Sequence, residues 1–148
     1  MGLDMYLTAR RLASNNAYDE TQEPTTQCRL FGSDVPLNEI EKVLGYWRKA
    51  NAIHKWFVEN VQNGVDNCEC SPVTRNQLED LLNICKSVMN DKENAANLLP
   101  TQAGFFFGST EYDEGYFADV EATISCLDEI LSNDTWCDGW TFYYESSW

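Results

Sequence analysis

The chain has one histidine, His54, and it stands close to residues that could share a task with it. On a helix, steps of three and four residues lead from Trp47 and Arg48 to Asn51, and from Asn51 to His54, so the four would share one surface. Arg48, with Lys49 beside it, could hold an anion, and Asn51 could hydrogen-bond a polar ligand. The run Gly104-Phe105-Phe106-Phe107-Gly108, with Tyr112 after it, could supply an aromatic wall for a planar group. The candidate ligand pocket is therefore Trp47, Arg48, Asn51, His54, Phe106 and Tyr112, and its ligand would be nucleotide-like. His54 acting as a base would need a nucleophile or a held water, and no partner of that kind is identifiable. There is also no glycine-rich phosphate loop, nucleophile elbow or metal-binding constellation. No catalytic residue, cofactor or metal is assigned. The other reading of His54 is a core or boundary residue whose ring nitrogens are satisfied by backbone or a carboxylate. The other reading of the phenylalanine run is a buried strand or tight connection.

A second set of candidates is acidic. Over residues 111–132 the apolar positions Tyr116, Val120, Ile124, Leu127 and Leu131 mark a helix, with Ser109 or Thr110 as its cap. Glu114, Glu121 and Asp128 recur every two turns on the opposite face, about 10 Å apart at about 1.5 Å per residue. Glu111, Asp113, Asp119 and Glu129 flank them, and no Lys or Arg occurs from residue 93 to the end. The formal net charge is −14, and it is unevenly placed. Residues 1–60 hold seven Lys/Arg against eight Asp/Glu, whereas residues 61–148 hold three against sixteen, a balance of −13. The basic footprint of a nucleic-acid binder is absent. An acidic half suits solubility, imitation of a phosphate backbone, or a partner protein with a basic surface. The candidate partner-binding residues are Glu111, Asp113, Glu114, Glu121 and Asp128.

Elements must position these groups. Leu3, Met5 and Leu7 alternate with polar neighbours and predict a strand over 2–8; Trp140, Phe142 and Tyr144 predict another near the C-terminus. Residues 13–28 are polar and without period and read as a loop or arm. Leu30-Phe31 suggests a short extended piece, turned by Gly32-Ser33-Asp34. The stretch 37–62 places Ile40, Val43, Leu44, Trp47, Ala50, Phe57, Val58 and Val61 at helical spacing, with Asn38 as its cap, and predicts one long helix. Thr74 and Gln77 form a capping box ahead of the stripe Leu78, Leu81, Leu82, Cys85, Val88 and Met89. The expectation is an α+β fold, a single domain over 1–148, with about three main helices packed on a small sheet that includes both terminal strands.

Hydrophobic content of 43% supports a folded core, and no apolar run reaches the length of a membrane span. The opening MGLDMYLTARR lacks the apolar segment of a secretion signal, so a cytoplasmic location and reduced cysteines are expected. Cys68 and Cys70 are spaced too closely for a zinc knuckle.

The opening MGLDMYL, the central YWRKANAIHKWFVENVQ, the block LLPTQAGFFFGSTEYDEGYF and the closing FYYESSW together resemble small uncharacterised proteins encoded by bacteriophages and prophages. The resemblance covers most of the chain except 13–28, and that family brings no established catalytic residues. It implies an accessory gene product expressed in an infected bacterial cytoplasm, where small acidic phage proteins often counter host defence. The expected function is therefore non-catalytic: binding, and inhibiting, a host factor such as a nucleic-acid-handling defence system. The rival expectation is a binder or enzyme for a nucleotide-like molecule.

Overall fold

The structure is a computed structural model. It describes residues 2–12, 27–30, 33–36, 39–132 and 139–148. The chain runs β1 (Asp4–Leu12), β2 (Gln27–Leu30), β3 (Ser33–Pro36), β4 (Glu39–Arg48), α1 (Asn51–Asn60), β5 (Ser71–Val73), α2 (Arg75–Asn90), a 3₁₀ turn (Lys92–Asn94), α3 (Ala95–Leu98), α4 (Glu114–Leu131) and β6 (Thr141–Ser147). The fold is α+β. Four strands form an antiparallel sheet in the order β4-β1-β6-β5, and β2 and β3 form a separate hairpin. The polar arm expected over 13–28 lies outside the described residues up to 26; Gln27 and Cys28 belong to β2. Ser33 and Asp34, expected in a turn, open β3.

β1 and β6 sit at the centre, as the alternation at the two ends of the chain implies. Leu7 pairs with Tyr144 and Ala9 with Phe142, and Leu3, Met5, Leu7 and Ala9 are fully buried. The opposite face is half open to solvent and carries Tyr6 against Tyr46 and Arg10 over the ring of Tyr143. The helices therefore cover one face only. Leu78, Leu81, Leu82, Cys85 and Val88 of α2 join Val120, Leu127 and Ile130 of α4 and the sheet in one core cluster. Each such aliphatic side chain contributes about 1.5–3 kcal/mol by leaving water. The capping box of α2 is complete, with Thr74 accepting from the Gln77 amide and Gln77 accepting from the Thr74 amide.

The long helix over 37–62 is not formed. Residues 39–48 are strand β4, and only Asn51–Asn60 is helical; Asn38 lies outside the described residues. A bulge explains why the pattern misleads. Leu7 faces Gly45 but Thr8 faces Val43, so Leu44 is an extra residue in the strand. One extra residue breaks a period of two and leaves apolar positions at steps of three and four, which imitates a helix. Pairing with β1 along nine residues decides the outcome, and Gly45 and the β-branched Ile40 and Val43 offer little helix propensity against it. Val43, which the helical stripe placed inward, is 54% exposed, and Tyr46 two strand pairs on is 51% exposed.

The acidic helix is also shorter than expected. It begins at Glu114, because Asp113 rather than Ser109 or Thr110 is the cap: its carboxylate accepts from the amides of Gly115 and Tyr116. The phenylalanine run is a tight turn, closed by the Phe107 amide donating to the Gly104 carbonyl at 3.2 Å. Phe107 is buried whereas Phe105 is 95% exposed. Cys68, Cys70, Cys85 and Cys126 are free thiols, and burial pushes Cys85 up to about 12. The side chain of Cys28 and all of Cys137 lie outside the described residues. No helix among the described residues is long and apolar enough to cross a membrane.

Candidate functional site

His54 is completely buried on α1, and both ring nitrogens are occupied. Nδ1 is 2.7 Å from the Tyr144 hydroxyl and Nε2 is 3.0 Å from an Asp66 carboxylate oxygen. Burial raises the Tyr144 phenol well above its ordinary value, so the tyrosine keeps its proton and donates it to Nδ1. With Nδ1 accepting from Tyr144, Nε2 carries a proton and donates to Asp66, so the two contacts fix the orientation of the ring. The other Asp66 oxygen accepts from the Trp148 indole at 3.0 Å. Tyr144 stacks flat on Phe57 at 4.0 Å, and the His54 ring meets Phe107 edge-on at 5.1 Å. The order Tyr–His–Asp has the connectivity of a nucleophile, a base and its orienting acid. The phenol is nevertheless enclosed and held protonated, which is the reverse of an activated nucleophile. The network joins α1, the loop after it and the last strand. Asp66, Tyr144 and Trp148 have no short-range sequence relation to His54, so their convergence was not readable from spacing.

The other pocket candidates disperse. The Trp47 indole donates to Thr123 on α4 at 2.9 Å, and Thr123 donates to the Asp119 carbonyl, tying β4 to α4. Tyr112 accepts from the Thr101 amide and packs against Tyr116. Phe106 presents its carbonyl to the Leu3 amide. Asn51 uses its whole amide as a brace: Nδ2 donates to the carbonyls of Phe107 and Ser109, and Oδ1 accepts from the Gln102 amide. This pins residues 102–109 to the start of α1. Arg48 is 59% exposed at its side chain and lies 4.0 Å from Asp4. The six residues therefore do not converge on one pocket.

Two of them, Arg48 and Asn51, line a different cavity. It has a volume of about 220 Å³ and lies between the β4–α1 junction and the first half of α4. Arg48, Lys49 and the opening residues of α1 form one wall. Gly108, Ser109, Glu111 and Asp113 form the rim. Tyr116, Asp119 and Val120 of α4 form the other wall. Lys49 adopts a left-handed backbone, φ 61°, to turn the strand into the helix. Gly108 makes room for it: at φ 87° it carries no side chain, and a Cβ there would stand 3.1 Å from the Lys49 Cβ. The first turn of α1 has no side-chain cap and no acidic residue, so its leading amides are without a side-chain acceptor.

Asp119 is the unusual group in this cavity. Its carboxylate makes no hydrogen bond or ion pair to any described residue, although its backbone carbonyl accepts from Thr123. Withdrawal from water, with the charge of Asp113 nearby, pushes it up to about 6. In sequence it looked like one more flanking charge; only α4's rotation turns it inward.

The acidic residues divide as well. Glu111, Asp113, Glu114 and Glu121 are exposed and form no ion pair among the described residues. Asp128 is exposed but is paired to Lys86 of α2 at 2.8 Å. Among the described residues, no group of three or more His, Cys, Asp or Glu could hold a metal ion. Comparison with protein-family models, curated proteins and solved structures returns no match to this chain.

Proposed function

We propose that this protein is a non-catalytic binding protein whose acidic face engages a basic surface on another protein. With the resemblance to phage and prophage proteins, the partner would be a host factor and the effect inhibitory, a nucleic-acid-handling defence system being the class implied. The observation that carries the reading is the run of unpaired exposed carboxylates at Glu111, Asp113, Glu114 and Glu121, at the N-terminal half of α4 and the loop before it. Charge predominantly of one sign favours fast, salt-sensitive encounter with an opposite surface, and Arg48 and Lys49 adjoin it only at Glu111 and Asp113. Asp128 contributes less, because Lys86 already neutralises it. The double change Glu114→Gln and Glu121→Gln should leave the fold intact and slow association with the host partner captured from lysate. Capture that is indifferent both to salt and to these two changes would overturn the reading.

A second reading, a small-molecule binder, is supported by the cavity at Asp119. Its volume of about 220 Å³ is below the roughly 300–1,000 Å³ of drug-sized ligand sites, and three carboxylates line it, so a nucleotide does not suit it. His54 takes no part, since its ring is sealed in the core.

A further inference from the structure

We propose that the cavity between the β4–α1 junction and α4 binds a small zwitterion, an amino-acid-like molecule whose ammonium group meets Asp119 and whose carboxylate faces Arg48 and Lys49. This rests on the small-molecule reading above and specifies its ligand.

The two walls carry opposite charge. Arg48 and Lys49 enter from the strand–helix junction, and Asp119 enters from α4 with Asp113 near it. Neither cation comes within 4.0 Å of Asp119, the distance at which an ion pair would form. Opposite charges that face one another across a half-open gap without touching fit a molecule carrying the same two charges in reverse order. A purely anionic ligand would place its charge against Asp119, Asp113 and Glu111. A purely cationic one would leave Lys49 uncompensated, Arg48 already lying 4.0 Å from Asp4.

Size and lining agree with this. The cavity of about 220 Å³ is below the roughly 300–1,000 Å³ of drug-sized sites and suits a smaller molecule. Ala52, Ile53, Val120 and the Tyr116 ring give it an apolar floor that suits a short aliphatic side chain. The carboxylate end would also meet the leading amides of α1, which have no side-chain cap. At the other end, a half-buried carboxylate beside a second carboxylate and without a donor is an unfavourable arrangement, and an ammonium group relieves both causes. The site is built by Asn51, which fixes the 102–109 loop, and by Gly108, which lets Lys49 take its left-handed turn.

The test is an amide-resolved NMR titration of the full chain with valine and its two single-charge counterparts, isobutylamine and 3-methylbutanoate, and with AMP. Valine should shift the Ala52, Ile53 and Asp119 resonances saturably. Each counterpart lacks one charge-assisted contact, worth about 1.5–3 kcal/mol, and should bind at least about tenfold more weakly. Asp119→Asn should likewise weaken valine binding at least about tenfold while the remainder of the spectrum stays in place. If isobutylamine, 3-methylbutanoate or AMP binds as tightly as valine, the zwitterion assignment is wrong and the small-molecule reading survives. If none of the four moves the cavity resonances, both fail.

Discussion

Replacing Asp119 by Asn should stabilise the protein at neutral pH, and the gain should fade as the pH is lowered. The carboxyl is carried from 3.8 to about 6 by its withdrawal from water, with Asp113 adding to it. A group whose folded pKa is raised holds a proton in the folded protein where the unfolded chain has released it. Its contribution to stability is therefore fully present below the unfolded value and is lost as pH rises through the folded value. At about 1.36 kcal/mol per pH unit, the charged form disfavours the fold by at most about 3 kcal/mol. The side chain is only half withdrawn, so screening reduces this to about 1–2 kcal/mol. Asn has the same shape and no charge, so the variant should exceed the parent by that amount near pH 7.5. With a urea m-value of about 2 kcal/mol/M, the midpoint should rise by about 0.5–1 M. Near pH 5 the parent is mostly protonated in the folded state, and the difference should fall by about half. Urea titrations of both proteins between about pH 7.5 and pH 5 stay clear of the isoelectric region near 4.2. A variant less stable than the parent at neutral pH, or a difference that does not change with pH, would refute the assignment of Asp119 as an uncompensated carboxylate.

His54→Ala removes the Nδ1 partner of the Tyr144 hydroxyl and leaves one Asp66 oxygen facing a void, so it should cost about 3 kcal/mol or more in urea unfolding; a loss below about 1 kcal/mol would show the network to be incidental. Lys49→Gly releases a non-glycine residue from φ 61°, and thermal unfolding should show a gain of up to about 1 kcal/mol. Removing residues 140–148 deletes β6, which lies between β1 and β5, so far-UV circular dichroism and NMR dispersion should report an unfolded chain; unchanged dispersion would refute the central placement of that strand.

Much of the architecture was legible because its signals are local. The alternation of Leu3, Met5 and Leu7 and of Phe142 and Tyr144 sets which side of each strand meets the core, and α2 announces itself through Thr74, Gln77 and its leucine stripe. Failure came where a local pattern had two solutions. Ile40, Val43, Leu44 and Trp47 satisfy a helix or a bulged strand equally well, and only β1, more than thirty residues earlier, selects the strand. That selection also broke up the proposed pocket. Trp47 and Arg48 left the helix of Asn51 and His54, so the spacing that seemed to gather all four no longer applied.

The sequence by itself determined the α+β class, the two terminal strands, the acidic second half and the exposure of Glu114 and Glu121, because composition and short periods fix which faces must be apolar. It could not determine which charged residues turn inward. His54 is sealed between Tyr144 and Asp66, ninety and twelve residues away, and Asp119 is set against a cavity whose other wall begins at Arg48. Those outcomes depend on long-range pairing and on the rotation of one helix against a sheet, and no interaction between near neighbours in the chain encodes them.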